Sequence, residues 1–370
     1  RAPFNLSMAV GALWGACVVG AVALTVGEAV TEGVPGRADR RGPAATRAQV
    51  QSGEVEAWTL SGSPLYRPVF TGDTNASLTI LLSIARQNLR LDACVASGNG
   101  AQPDPAKEIW LARRLGYQWR YQEAIDVLRQ TAGRSDLSPT YRAMVGRHLG
   151  HRHITVRNAS LAAETLASAA ALVLNRSAVP VPDAWEEDGQ PNSANVPLST
   201  LAFNTHYHHT LALYLTGNFT AALVANTECL AASHINDESM AATLYWRWML
   251  LTRLGRRRDA TAALAPLHRG MRTLEGAAYL NLTLLFKGEL TVKEVLPEWR
   301  TASPLDLATL GYGVGFYYWH ALDNRTEAVA VWRATTDLTR CPYWAAFGFI
   351  AAEAELFRVG AVDLTDALQG

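Results

Sequence analysis

The stretch that decides the fold is residues 207–230, YHHTLALYLTGNFTAALVANTECL. It consists of two apolar segments with helical spacing, separated by a short turn that contains Gly217. The second segment carries a small residue, Ala222, in the position where it would meet the first segment. This pattern predicts a hairpin of two helices that approach each other closely.

The same pattern recurs along the chain. When the small residue of each second helix is aligned, Ala222 has four counterparts, and these are Ala124, Ala162, Ala260 and Ala328. The separations are 38, 60, 38 and 68 residues, so 60 accommodates an insertion at 179–197 and 68 leaves room for a degenerate unit at 280–296. We therefore predict an all-α fold, an α-solenoid of antiparallel helix pairs over residues 106–360. The competing interpretation is a generic helical bundle with alanine-rich faces.

A period near 34 residues with two helices per unit resembles the tetratricopeptide repeat. The third unit matches that repeat at Leu213, Tyr214, Gly217, Phe219, Ala222 and Leu230. Longer runs, such as GRHLGHRHI at 146–154 and PYWAAFGFIAAEAEL at 342–356, resemble an uncharacterised group of prokaryotic-type tetratricopeptide proteins over about residues 106–358. The resemblance implies the fold and carries over no established activity.

The amino-terminal region is strongly apolar. Residues 8–26, MAVGALWGACVVGAVALTV, have the length of a membrane-spanning helix. A secretory signal is the close alternative, because small residues at 21 and 23 offer a cleavage pattern, and a buried core helix ranks third. We expect a hydrophobic helix that serves as a signal or anchor within residues 1–30, followed by a linker with one helix over residues 31–105. Arginines follow this stretch more often than they precede it, which would keep the body of an uncleaved protein cytoplasmic.

Glycosylation acceptor sites favour the opposite topology. Of 14 asparagines, seven begin an Asn-x-Ser/Thr sequence, whereas 47 Ser and Thr in 370 residues predict about two. They are Asn5, Asn75, Asn158, Asn175, Asn218, Asn281 and Asn324. We predict N-linked glycans and a place in the secretory pathway, extracellular or membrane-anchored, with an organelle membrane as the alternative. Because asparagine is also a preferred helix N-cap, capping is the competing explanation.

Composition and motifs exclude several classes of function. The 33 basic and 33 acidic residues balance, which argues against nucleic-acid binding. The sequence contains no nucleophile elbow, phosphate loop, dinucleotide fingerprint or Cys-x-x-Cys motif, so we expect no cofactor and no metal. The acidic run at 186–188 lacks the ligand alternation of a calcium loop and is interpreted as solvated. In an extracytosolic body, Cys94 and Cys341 would be the remaining pair for a disulfide.

In stacked repeats the first helix of each pair lines a concave groove. The alignment predicts aromatic and hydrogen-bonding side chains there, the kind that interaction surfaces favour. The groove residues are Arg113, Tyr117, Arg147, His148, His151, Asn204, Tyr207, His208, Tyr214, Tyr245, Arg253, Tyr317 and His320. The sequence thus predicts a non-catalytic binding or scaffold protein with a protein or peptide partner. The alternatives are a structural subunit of a larger assembly, and an enzyme of unknown type that uses the His, Arg and Tyr side chains of the groove.

Overall fold

The computed structural model describes residues 54–68, 72–98, 101–175, 177, 185–186, 192, 194 and 196–361. Helices make up most of this part of the chain, which confirms a mainly α-helical fold. The predicted apolar helix at 8–26 lies outside the described residues. Among the helices that are described, none combines the length and the apolar character needed to cross a bilayer.

Two short antiparallel strands precede the helices and are β1 (Val55–Trp58) and β2 (Pro64–Tyr66). The first helices are α1 (Gly72–Gly98), α2 (Pro105–Tyr117), α3 (Tyr121–Ala132), α4 (Pro139–Thr155) and α5 (Ala159–Leu174). They are followed by α6 (Leu201–Leu215), α7 (Phe219–Ala232), α8 (Asp237–Arg253), α9 (Arg257–Ala263), α10 (Ala277–Lys287) and α11 (Val292–Val295). The last are α12 (Pro304–Asp306), α13 (Tyr312–His320), α14 (Arg325–Thr336) and α15 (Phe347–Arg358), with a π-helical segment, Leu307–Gly311, between α12 and α13.

All five predicted hairpins contain the same turn. The residue five positions before each aligned alanine has a positive φ, and these residues are Trp119, Arg157, Gly217, Gly255 and Asp323. The second helix begins after this turn, and all five aligned alanines are at most 2% exposed. The small residue is therefore buried in each helix pair, as the alignment predicts.

The interpretation of residues 31–70 as a linker is wrong for their described part, which contains the β1–β2 hairpin. Glu56 on β1 is buried, and its carboxylate accepts hydrogen bonds from the backbone N–H of Tyr121 at 2.7 Å and of Gln122 at 3.2 Å. Arg67 forms an ion pair with the same carboxylate. The hairpin is held in place because a carboxylate is favourable at a helix N-terminus, here that of α3.

Helix α15 is buried on nearly every side, with Phe349, Ile350 and Ala352 at most 2% exposed. Its Glu353 accepts a hydrogen bond from the backbone N–H of Leu60 at 2.5 Å and forms an ion pair with Arg157 at 3.0 Å. A single carboxylate therefore joins the carboxyl-terminal helix to the β1–β2 hairpin and to the end of α4.

The expected disulfide is not formed. Cys94 is exposed on α1, whereas Cys341 is buried, and both are free thiols. The Cys341 thiol lies 3.5 Å from the carbonyl oxygen of Pro304, to which it donates. The two cysteines therefore belong to different environments.

We expect Glu353→Gln to lower the free energy of unfolding by about 3 kcal/mol, because it leaves the Arg157 guanidinium buried without a counter-charge. Asp259→Asn is the matched control, since it removes the partner of Arg256 from a pair in which both side chains are 53% exposed. The control should change stability by less than about 1 kcal/mol. Urea unfolding of the two variants checks this, and equal midpoints would contradict the anchoring role of Glu353.

Candidate functional site

Five of the predicted groove residues meet in one place. Arg147, His148 and His151 come from α4, and Asn204 and His208 come from α6. Glu186, from the connection between α5 and α6, completes the group, which we call the histidine–arginine cluster. Arg147 and His151 are four residues apart, so they lie on the same face of α4, and the rings of His151 and His208 lie 4.4 Å apart, centroid to centroid.

Hydrogen-bond partners assign the tautomers of the three histidines. Nδ1 of His148 lies 2.8 Å from a guanidinium nitrogen of Arg147, and Nδ1 of His151 lies 3.1 Å from one of Arg152. Because a guanidinium only donates, each Nδ1 accepts, and each Nε2 carries the proton. Nδ1 of His208 lies 2.6 Å from the carbonyl oxygen of Asn204, to which it must donate, so Nε2 of His208 carries a lone pair.

Glu186 was expected in a solvated loop, and that interpretation is wrong for this residue. Its side chain is buried, forms an ion pair with Arg147 at 3.0 Å and accepts a hydrogen bond from the Asn204 amide. An antiparallel bridge between Trp185 and Thr200 fixes the backbone at this point. The carboxylate is thereby placed among the basic groups, where its charge is compensated.

Burial lowers the pKa of His148, of His151 and of His208 well below the usual value of 6.5. The positive charges of Arg147 and Arg152 lower all three further. These histidines are consequently neutral at pH 7, which agrees with the tautomers assigned from their hydrogen bonds.

Two more predicted residues lie beside the cluster, on α2. Arg113 is half-buried, with its guanidinium carbon 4.1 Å from the centroid of the Trp110 ring. Tyr117 is also half-buried, and both are close enough for their charges to act on Arg147.

Other predicted groove residues belong to the core instead, so their assignment to a binding surface is corrected. Tyr207 and Tyr245 are each at most 2% exposed. The Tyr207 hydroxyl lies 2.9 Å from that of Tyr279, and the Tyr245 ring stacks on Phe286. Tyr317 is half-buried and stacks on the same phenylalanine. Aromatic side chains of this kind fill the space between neighbouring helices.

Arg253 belongs to a second buried network. It forms an ion pair with Glu355 of α15 and donates to the Tyr214 hydroxyl at 2.9 Å. Arg358 forms an ion pair with the same carboxylate at 2.7 Å. Tyr214 is therefore a core residue, and His320, also predicted for the groove, is half-buried and stacks on Phe316.

The predicted groove is covered in part by the chain itself. The ring of Phe347, at the start of α15, lies 5.3 Å from that of His151, 5.7 Å from that of His208 and 6.4 Å from that of Tyr207. The sequence carries a signal for this arrangement, because 342–356 is apolar around the whole helix, a pattern typical of a buried helix.

The acceptor asparagines that can be described are exposed. Asn158, Asn218 and Asn324 each cap a second helix, with Oδ1 accepting from a backbone N–H at 3.3, 3.1 and 3.1 Å. Asn175 and Asn281 are exposed as well. Asn5 and the side chain of Asn75 lie outside the described part. Because the cap uses Oδ1, it leaves Nδ2, the atom that carries an N-linked glycan, without a role in the cap.

No protein-family model matches the chain, and a search of curated proteins found no significant match. Within the ranges that the structure describes, no three His, Cys, Asp or Glu side chains are grouped so that they could hold a metal ion. The function is therefore argued from the histidine–arginine cluster.

Buried neutral histidines make stability depend on pH. Burial lowers the pKa of His206 to about 4, below its unfolded value of about 6.5, so the unfolded chain binds more protons between these values. This contribution to stability is complete above pH 6.5 and is lost as the pH falls toward 4. For His206 alone, we expect a loss of about 1 kcal/mol between pH 7.5 and 5.5.

Urea unfolding of wild type and His206→Gln at both pH values tests this, and the variant should lose about 1 kcal/mol less than wild type. His268→Gln is the control, because His268 is exposed. The same pH dependence in wild type and His206→Gln would show that His206 is not responsible.

Proposed function

We propose that this protein is a non-catalytic helical-repeat binding protein. Its repeats would be tetratricopeptide-like pairs stacked as an α-solenoid, preceded by a hydrophobic amino-terminal helix. The five identical turns and the five buried alanines support the repeat assignment. The histidine–arginine cluster would hold an anionic group of a protein or peptide partner.

One observation carries this proposal. Nε of Arg147 is buried and has no hydrogen-bond partner among the described residues, although the other two guanidinium nitrogens bond to His148 and Glu186. An unsatisfied buried donor costs about 1–3 kcal/mol. An oxygen atom of a ligand would satisfy this donor, and a negatively charged oxygen would do so best.

We also propose that the protein belongs to the secretory pathway, extracellular or anchored to a membrane through residues 8–26, and carries N-linked glycans. The excess of acceptor sequences and the exposure of Asn158, Asn218 and Asn324 support this. Balanced charge supports a protein or peptide partner over nucleic acid.

Arg147→Ala tests the binding role. Loss of a buried, partner-bonded arginine should weaken partner binding by about 2–5 kcal/mol. The same helix offers a matched control in Arg142→Ala, since Arg142 is exposed. Wild type, Arg147→Ala and Arg142→Ala are immobilised in parallel, and we expect proteins that wild type and Arg142→Ala retain and Arg147→Ala does not.

The thermal midpoint of each variant is measured alongside. Unchanged retention by Arg147→Ala together with a lowered midpoint would make Arg147 a packing residue and would overturn the proposed site.

Glycosylation and helix capping can be separated at Asn218. Asn218→Asp keeps a capping oxygen and removes the acceptor nitrogen, whereas Asn218→Ala removes both. We expect both variants, expressed in a glycosylating host, to lose one glycan mass, and only Asn218→Ala to lose about 1 kcal/mol of stability. Intact mass before and after glycosidase treatment is the readout, and a wild-type mass that glycosidase leaves unchanged would contradict the secretory assignment.

A further inference from the structure

The histidine–arginine cluster has hydrogen-bonding capacity that the described residues do not use. Nε of Arg147 is a buried donor without an acceptor. Nε2 of His148 lies 3.7 Å from the nearest Glu186 oxygen, which is too long for a hydrogen bond. Nε2–H of His151 and the lone pair on Nε2 of His208 form no hydrogen bond with any described residue.

These four groups are linked by direct contacts. Arg147 bonds to His148 and shares one face of α4 with His151, and the His151 ring lies against that of His208. On one side, Phe347 closes the pair of rings with an apolar surface. A ligand at this position would therefore meet three donors and one acceptor in partly dry surroundings, where hydrogen bonds are strong.

The count of donors and acceptors selects among anions. A carboxylate and a sulfate offer acceptors only, so each would leave the His208 lone pair unsatisfied or require His208 to take up a proton. A phosphate group that retains one proton offers several acceptor oxygens and one hydroxyl donor. Its hydroxyl matches Nε2 of His208, and its oxygens match Arg147, His148 and His151.

We propose that the histidine–arginine cluster binds a phosphate group that keeps one proton, with its hydroxyl donating to Nε2 of His208. The proposal rests on the proposed function in that it names the anionic group that the cluster holds. Two sources share this chemistry, a free hydrogen phosphate ion and a phosphate monoester on a partner.

The positive charges around the cluster favour an anion. Arg113 and Arg152 act electrostatically on His148, as Arg147 does. Glu186 is the opposing charge, and it is already engaged by Arg147 and Asn204. Because Glu186 is a fixed negative charge at the edge of the cluster, it opposes full ionisation of a bound phosphate and so favours the form that retains a proton.

Isothermal titration of the full chain at about pH 7.5 compares inorganic phosphate with sulfate and acetate. Sulfate matches phosphate in shape and charge and lacks the proton. We expect phosphate to bind at least about tenfold more tightly than sulfate and acetate. Equal affinity for phosphate and sulfate, or no binding of phosphate, would overturn the proposal.

O-Phosphoserine separates the two sources. Tighter binding of O-phosphoserine than of inorganic phosphate identifies a monoester as the ligand, and weaker binding identifies the free ion. Both outcomes support the site provided that the preference over sulfate is present.

Two variants assign the roles of the side chains. Arg147→Met should abolish binding of both anions, whereas Arg142→Met should not. His208→Phe should bring the affinity for phosphate within about twofold of that for sulfate, whereas His209→Phe, a half-buried neighbour on α6 outside the cluster, should keep the preference. If His208→Phe fails to fold, the wild-type comparison of phosphate with sulfate still decides.

The two proposals fail separately. If phosphate does not bind but partner retention depends on Arg147, the phosphate assignment is wrong and the binding role stands. If phosphate binds and Arg147→Ala retains the same proteins as wild type, the cluster is a phosphate site and the partner proposal is wrong.

Discussion

Two buried carboxylates on α15 constrain the whole molecule. Glu353 and Glu355 would each cost several kcal/mol in the interior without a cation. Arg157, from the end of α4, neutralises the first, and Arg253, from the end of α8, neutralises the second. These arginines are far apart in the sequence, so α15 has one position in which both carboxylates are paired. That position puts Phe347 against the histidines of the cluster.

The same carboxyl-terminal segment supports the first two repeat turns. Trp119 and Arg157 have positive φ values although neither is glycine, which costs about 1 kcal/mol for such residues. Trp344 lies 5.1 Å from the Trp119 ring and 5.3 Å from the Arg157 guanidinium, and its carbonyl accepts a hydrogen bond from Arg157. Later turns use glycine at 217 and 255, where this conformation needs no such support.

What could be predicted from the sequence follows from the range of the interactions. The helix pairs and their buried alanines depend on contacts within about 30 residues, and the periodicity of the sequence records those contacts. His148, His151 and His208 were predicted to lie together because repeat phase carries over from one unit to the next. Phase also assigned Tyr207 and Tyr245 to the groove, but it cannot tell a groove side chain from one that meets the adjacent repeat.

The remaining features depend on distant residues, and single-helix patterns do not encode them. The hairpin at 55–66 is fixed by Glu56 at the start of α3, some 65 residues away. Glu186 stands in an acidic run that is typical of a solvated loop, and its burial depends on Arg147 and Asn204. The coverage of the groove by α15 depends on pairing across about 100 to 200 residues.

The histidine–arginine cluster contains more polar groups than a packing role requires. One ion pair, Arg147 with Glu186, and the Asn204 amide are enough to fix the connection between α5 and α6. Apolar side chains in place of His148, His151 and His208 would serve packing at lower desolvation cost. Three buried neutral rings with assigned tautomers, next to an arginine with an unused donor, are instead arranged as a site for a polar ligand is arranged. The interactions that close the fold around α15 thus also hold a set of hydrogen-bonding groups in fixed orientations beside it.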